Sequence, residues 1–179
     1  LPVGNSVLGA MVYGGTETEV IQLNEETFWS GKPHDNDSRE SLRHLQEVRS
    51  LIFEGREKEA HTLIDKHFVK GPHGMRFLPM GYVRLSMGHN DVADYERALN
   101  LGTATATTSY IYKGVKYERT VFASMADSVI IVNIKSDKKG ELDFSLSYDS
   151  QLEYKVSTTA DGRYPRLMAT VSGVGQEGI

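Results

Sequence analysis

The chain reads as a mainly β protein, an antiparallel β-sandwich with a short two-helix insertion at about residues 38–70. Three observations predict it. Strand-like runs follow one another at roughly ten-residue spacing from Phe77 onward, the rhythm of antiparallel sandwiches rather than of parallel sheets. Between them stand turn signals: Gly102, Lys113-Gly114 and "SDKKGE". Only residues 38–70 switch to a helical period. The 179 residues favour one domain, and a chain of that length buries roughly 70% of its unfolded surface, enough for a core without staples.

At the start, "VLGAMVYGG" and "TEVIQLN" are two strand-like runs with Gly14-Gly15 turning between them. In the second run Val20 and Leu23 are expected to mark the partly buried face. Next, Leu42, Leu45, Val48, Leu51 and Ile52 recur at helical spacing, and Ala60, Leu63, Ile64 and Phe68 do so again beyond Gly55. Asp37 with Glu40 has the form of a capping box, and Gly55 that of a C-cap between two short helices. Seven candidate strands follow: "YVRLSMG", "DYERALNL", "TATATTSYIY", "VKYERTVFAS", "SVIIVNIKS", "ELDFSLSYD" and "PRLMATVS". Tyr110 and Tyr112, then Tyr117 and Val121, alternate across a hairpin, and the continuously apolar "VIIVNI" is expected to be a central strand.

Net charge is −4, and the 20 Lys and Arg residues are scattered, which argues against a nucleic-acid partner. The absence of cysteine excludes disulfides, thiolate metal ligands and a cysteine nucleophile, and leaves the compartment open. No apolar run reaches the roughly 20 residues of a helical membrane span. The abrupt opening on "LPVGNSVLGAMVYGG" is what an excised domain would show.

Motifs that could carry chemistry are few. "GVGQEG" spells G-x-G-x-x-G through Gly173, Gly175 and Gly178, but neither a following helix nor a βαβ context supports nucleotide binding. His61 and His67 are six residues apart, about 240° around a helix, so they face different ways. His34, His73 and His89 sit beside glycine or proline in loops, and no metal or cofactor is expected. "HDNDS" lacks the glycine and distal glutamate of a calcium loop, and Asn36-Asp37-Ser38 is formally a glycosylation sequon. Glu25 and Glu26 point to opposite sides of an extended segment and cannot flank one glycosidic bond. Asp94 and Glu96 lie in the solvated run "NDVADYE". One concentration of unusual residue types remains, "NEETFWSG". There Asn24, Glu25, Trp29 (the sole tryptophan) and Ser30 suit either a sugar-facing surface or a well-anchored corner.

The same residues carry a family resemblance. "LPVGNSVLGAMVYGG…VIQLNEETFWSGKP", "EVRSLIFEGREKEAHTLI", "FLPMGYVRLSMGH" and "DYERALNLGTATATTSYIYKGVKYERTVFAS" resemble, in order, the start of glycoside hydrolase family 95, the inverting α-L-fucosidases. Ser6 stands where that family commonly has glycine, and "LPMGYVRL" replaces "QPLGDLYL", with Tyr82 in place of an aspartate. The resemblance implies the non-catalytic N-terminal β-super-sandwich, trimmed at both ends, of a longer enzyme whose catalytic (α/α)₆ barrel, in the same polypeptide, lies outside residues 1–179. It implies no catalytic residue here. Asn24, Glu25, Trp29 and Ser30 become candidates for the substrate mouth or the barrel interface, with a fucosylated glycan nearby. The alternatives are the corresponding domain of an α-L-galactosidase and an autonomous carbohydrate-binding module using Trp29. The implied substrate points to a periplasmic or extracellular location. An uncovered apolar face is expected where the barrel would pack.

Overall fold

The structure is a computed structural model that describes residues 1–31, 35, 37–68, 70, 75–160 and 165–172. The chain divides into two compact units, Leu1–Phe28 with Leu78–Gly173, and Trp29–Phe77 with Val174–Ile179. The fold is mainly β and multi-sheet, with the two-helix insertion that the apolar period predicted.

In the first unit, β1 (Pro2–Gly4), β2 (Leu8–Val12), β3 (Thr18–Glu25), β4 (Gly81–Ser86) and β9 (Ser145–Asp149) form one antiparallel sheet in the order β1-β2-β3-β4-β9. A second antiparallel sheet runs β5-β6-β7-β8, from β5 (Ala93–Asn100), β6 (Thr105–Tyr112), β7 (Val115–Ser124) and β8 (Val129–Ser136). A separate hairpin pairs β10 (Glu153–Ala160) with β11 (Pro165–Ser172). Sequence patterning missed β1 and β10. β1 is only three residues long, and "EYKVSTTA" is exposed throughout, so neither shows a buried period.

The core lies between the two larger sheets. Val3, Ala10, Val12, Ile21 and Leu85 meet Ala106 and Val121, with Leu23, Val83, Ile130, Val132 and Ile134 packed around them. On β3 the buried residues are Glu19 and Ile21, so the inward set starts one residue before the expected Val20. A buried glutamate had disguised the period. The β6–β7 hairpin turns through Lys113 and Gly114, both at positive φ (49° and 74°), as a tight two-residue hairpin requires. It sets Tyr110 opposite Tyr117, both buried. β8 is the outer strand of its sheet and not a central one. Its apolar run reports two half-covered faces, whereas edge pairing is a backbone property that side chains do not encode.

The two sheets are tied by polar groups at opposite ends of β2. At one end the Tyr13–Gly15 turn wraps the carboxylate of Glu19, which accepts from the amides of Tyr13 (2.9 Å) and Gly14 (2.9 and 3.1 Å). Arg119, on β7 of the other sheet, pairs with the same carboxylate and donates to the Gly15 carbonyl at 2.9 Å. Both side chains are essentially inaccessible, 0% and 2% exposed. From β5, Tyr95 donates to the Gly14 carbonyl at 2.8 Å and Arg97 to that of Tyr13. Gly14 sits at φ 82°, and a Cβ there would lie 2.5 Å from the Arg97 side chain. At the other end, buried Asn5 donates to the Ser124 carbonyl at 2.7 Å and accepts from the amides of Leu8 (2.7 Å) and Val7 (3.2 Å).

The second unit holds α1 (Ser41–Phe53) and α2 (Glu57–His67), antiparallel neighbours joined by a Schellman turn. Gly55 has φ 74°; its amide donates to Ile52 at 3.0 Å and that of Arg56 to Leu51 at 2.8 Å. The capping box does not form. Asp37 instead donates its amide to the Asp35 carboxylate (2.9 Å), and the helix begins later, with Glu40 at the N-cap position and Ser41 bonded to the Ser38 carbonyl. Local Asx-type bonding outcompetes the helical start. His61 pairs with Asp65 on the exposed side, while His67 stacks on His44 of α1, centroids 3.8 Å apart. These are the different faces that their spacing required.

Two stability predictions follow from these ties. Arg119→Met alone should cost about 3–5 kcal/mol in urea unfolding, because it strands a buried carboxylate; adding Glu19→Gln should recover part of that loss. Ser6 occupies the left-handed region at φ 75° in the Asn5–Leu8 turn, which explains why glycine suits the position. Left-handed strain of about 1–2 kcal/mol exceeds the unfolded-chain freedom glycine adds, about 0.4–1 kcal/mol, so Ser6→Gly should raise Tm by a few degrees.

Candidate functional site

Within the first unit, Asn24 lines an open groove of about 490 Å³ beside β8. Its walls are apolar: Leu8, Ile21, Leu23, Met80 and Val83 on one side, Val129, Ile130 and Val132 on the other, with Ser128 the second polar residue. Glu25, the last residue of β3, is engaged locally: its carboxylate accepts from the amide (3.0 Å) and hydroxyl (2.7 Å) of Thr27. The turn closes as the Phe28 amide donates to the Glu25 carbonyl at 3.2 Å. This geometry orders the loop rather than presenting a free carboxylate.

In the second unit, Trp29 and Ser30 have a partner that sequence reasoning missed. Trp29 forms an isolated antiparallel bridge with Phe77, and the two rings meet edge to face, 5.1 Å between centroids at 67°. Ser30, fully buried, locks the bridge twice. Its amide donates to the Arg76 carbonyl at 2.8 Å, and its hydroxyl accepts from the Arg76 amide at 2.8 Å. Trp29 and Phe77 nevertheless remain 46% and 44% exposed. The one available sequence signal was Phe77 itself, an aromatic at the edge of a glycine-rich loop 48 positions downstream, which no local period links to Trp29.

A second concentration of titratable side chains lies in the first unit around His89, which is buried rather than a surface loop residue. Its Nδ1 lies 3.0 Å from the Tyr110 hydroxyl, and its ring stacks on Tyr112 (4.3 Å, 20°) and tilts over Tyr117 (4.4 Å). Thr16 fixes its backbone by donating to the His89 carbonyl at 3.0 Å. Burial, and then the nearby Lys113 ammonium, hold the imidazole below its ordinary range. Burial also pushes the Tyr110 hydroxyl up to about 12. Among the described residues no three His, Asp or Glu side chains gather to hold a metal ion, and no helix is long and apolar enough to cross a membrane. The G-x-G-x-x-G run, His34, His73 and Asn36 lie outside the described residues.

The sequence matches the family described as "Glycosyl hydrolase family 65, N-terminal domain" over residues 1–178. The chain belongs to that family. Its similarity to whole proteins is to fucosidases. It is 35% identical over 162 residues to "Alpha-L-fucosidase 2" of Arabidopsis thaliana, covering 88% of this chain and 19% of that protein. It is 30% identical over 190 residues to "Probable alpha-fucosidase A" of Aspergillus oryzae, covering 98% of this chain and 24% of that one. A similar protein of Aspergillus niger matches at 25% over 154 residues, 81% of this chain and 19% of its own length. The chain thus spans about a fifth to a quarter of the curated relatives it matches. The matched family carries the number 65, where the opening motifs resemble family 95. As a glycoside hydrolase N-terminal domain, the chain owes its place in the family to the sandwich and helical pair together, since the match runs through both.

The His89 cage gives this domain a pH dependence of definite sign. The folded state favours the neutral imidazole, so the unfolded chain binds more protons once pH falls below the ordinary histidine value of 6.5. Stability should be level above that value and fall as pH drops through it towards the lowered folded value. His89→Gln should flatten this part of the Tm–pH curve, read by circular dichroism.

Proposed function

We propose that the chain is the non-catalytic N-terminal domain of an inverting α-L-fucosidase of the family 95 type, working on terminal α-L-fucosyl linkages of glycans. One observation carries this reading: the chain aligns over 88% and 98% of its length with two proteins that are both named as α-fucosidases, at 35% and 30% identity. Inverting glycoside hydrolysis needs a protonated carboxyl and a second group activating water across the sugar ring, roughly 6.5–9.5 Å apart. Glu25 is tied to Thr27, and Glu19 is buried against Arg119. Neither is available for that work, which supports assigning the chemistry to a barrel elsewhere in the polypeptide. Half-exposed Leu142, Phe144 and Leu146, leading into and along β9, are the apolar surface that packing on such a barrel would cover. A glycan substrate of this class suits a periplasmic or extracellular enzyme.

The test is hydrolysis. The longer polypeptide that carries this chain should release L-fucose from α-L-fucosyl oligosaccharides, with the β-anomer appearing first by proton NMR. The 179-residue chain alone should release none. Fucose release by the chain alone, or no release by the longer polypeptide, would sink the proposal.

A further inference from the structure

The loop that carries the chain from one sheet to the other is clamped at its near end and strained at its far end. Residues 87–92 join β4, in the first sheet, to β5, in the second. At the near end the amides of Met87 and Gly88 both donate to the Glu17 carbonyl, at 2.9 and 3.0 Å, and the Thr16 hydroxyl donates to the His89 carbonyl. At the far end Asp91, and just inside β5 Asp94, take left-handed backbone (φ 53° and 50°), which a Cβ disfavours. The β5–β6 register shifts there as well, between Ala93 and Glu96. His89 is the one buried residue of the six. β6 presents to it the Tyr110 hydroxyl, 3.0 Å from Nδ1, and the Tyr112 ring; β7 presents the Tyr117 ring. Lys113, in the turn between these strands, holds its ammonium over Tyr112 at 5.0 Å. Arg119 on β7 reaches Met87 Sδ at 3.9 Å, and the Glu19 carboxylate on β3 is taken up by Arg119. Among the described residues no carboxylate bonds His89.

We propose that His89 is an acid-released latch: protonation of its imidazole lifts residues 87–92 off the tyrosine face of β6 and β7 while the two sheets stay folded. The hydrogen bond explains why. Tyr110 keeps its proton, so its hydroxyl is the donor and Nδ1 the acceptor, which puts the imidazole's own proton on Nε2. A proton arriving at Nδ1 removes that acceptor. Tyr110 must then accept from His89 and turn its own proton towards Met87 Sδ, 3.5 Å away and a weak acceptor. The new positive charge meets the Lys113 ammonium with no anion to offset it. Opening the loop returns the imidazolium to water and relaxes the left-handed turn at Asp91. It also uncovers Tyr110 and Tyr117, both buried while the latch is closed. This device is independent of any reading of substrate. Its sign follows from linkage. The open form takes up the proton at the ordinary histidine value of 6.5 and the closed form resists it, so opening is favoured as pH falls below 6.5. For one proton the open fraction grows about tenfold per pH unit, until pH reaches the lowered value of the closed form.

The Met87 and Gly88 amides, both bonded to Glu17, report on the latch by native-state hydrogen exchange. Their protection factors, which correct for the intrinsic pH dependence of exchange, are measured from about pH 7.5 to about pH 5, with and without low urea. Protection is expected to be level above the histidine value and to fall about tenfold per pH unit below it. It should hardly respond to urea, because a local opening exposes little surface, whereas the ladder amides of β6 and β7 should respond steeply. His89→Gln keeps an acceptor for Tyr110 and cannot titrate, so protection should lose its pH slope. Should that variant fail to fold, the His89 imidazole resonance of the unaltered chain serves instead, and its midpoint should lie below that of exposed His61. Protection that is flat with pH overturns the proposal, as does a slope that survives His89→Gln. Met87 and Gly88 amides as sensitive to urea as the β6–β7 ladder also overturn it, since the loop would then open only when the whole unit unfolds. A His89 midpoint at or above that of His61 does the same.

Discussion

The first unit depends on one buried ion pair. Glu19 and Arg119 come from opposite sheets, and their contact fixes the turn from Tyr13 to Gly15 between them. Three contacts from the Tyr13 and Gly14 amides satisfy the carboxylate, and the guanidinium also donates to the Gly15 carbonyl. A buried pair of this kind adds little stability over an apolar pair of equal volume, and losing one member is far costlier than exchanging both. Its value is in register. Apolar residues on two facing sheets can slide past each other at small cost, but a carboxylate that must meet one guanidinium cannot. Tyr95 and Arg97 add two further bonds to the same turn from β5, so three strands converge on three residues. Arg119 Nε is left without a side-chain or backbone partner, a residual cost of holding the guanidinium in this orientation.

That same pair shows where the sequence was legible and where it was not. Strand and helix positions were readable because side-chain periods encode faces: Tyr110, Tyr117 and Val121 fell inward as expected, and the helical pair broke at Gly55. The period failed on β3 because the inward residue was a glutamate, which pattern-reading counts as outward. Arg119 carries the complementary signal, a charge in phase with Val115, Tyr117 and Val121. Two charges each in phase with an apolar face, in strands of different hairpins, are a readable sign of a buried pair. Edge position, by contrast, lies in backbone bonding, which is why β8 read as central and is not. The start of α1 was obscured for a third reason: the Asp35 carboxylate accepts from the Asp37 amide and the Ser38 hydroxyl from that of Glu40, and local bonds leave no period to follow.

The candidate site divides along the same line between local and distant partners. Glu25 and Thr27 are two residues apart, and their bond could be anticipated from side-chain chemistry alone. Trp29 and Phe77 are joined across the whole helical pair, and nothing local in the sequence announces it. His89 is the intermediate case. Its neighbours Tyr110, Tyr112 and Tyr117 were visible as an alternating aromatic set, but the loop that carries His89 into them was not.

Ser30 shows how a distant pairing is held by local chemistry. Its amide donates to the Arg76 carbonyl and its side-chain hydroxyl accepts from the Arg76 amide, so a fully buried serine has both groups satisfied. The bridge beside it sets Trp29 opposite Phe77, and the rings meet edge to face at 67°, an arrangement that the charge distribution of aromatic rings favours over a face-to-face sandwich. Hydrogen bonds supply the register of this pairing and the rings supply apolar contact, which is why a serine, inconspicuous in the sequence, matters as much here as the sole tryptophan.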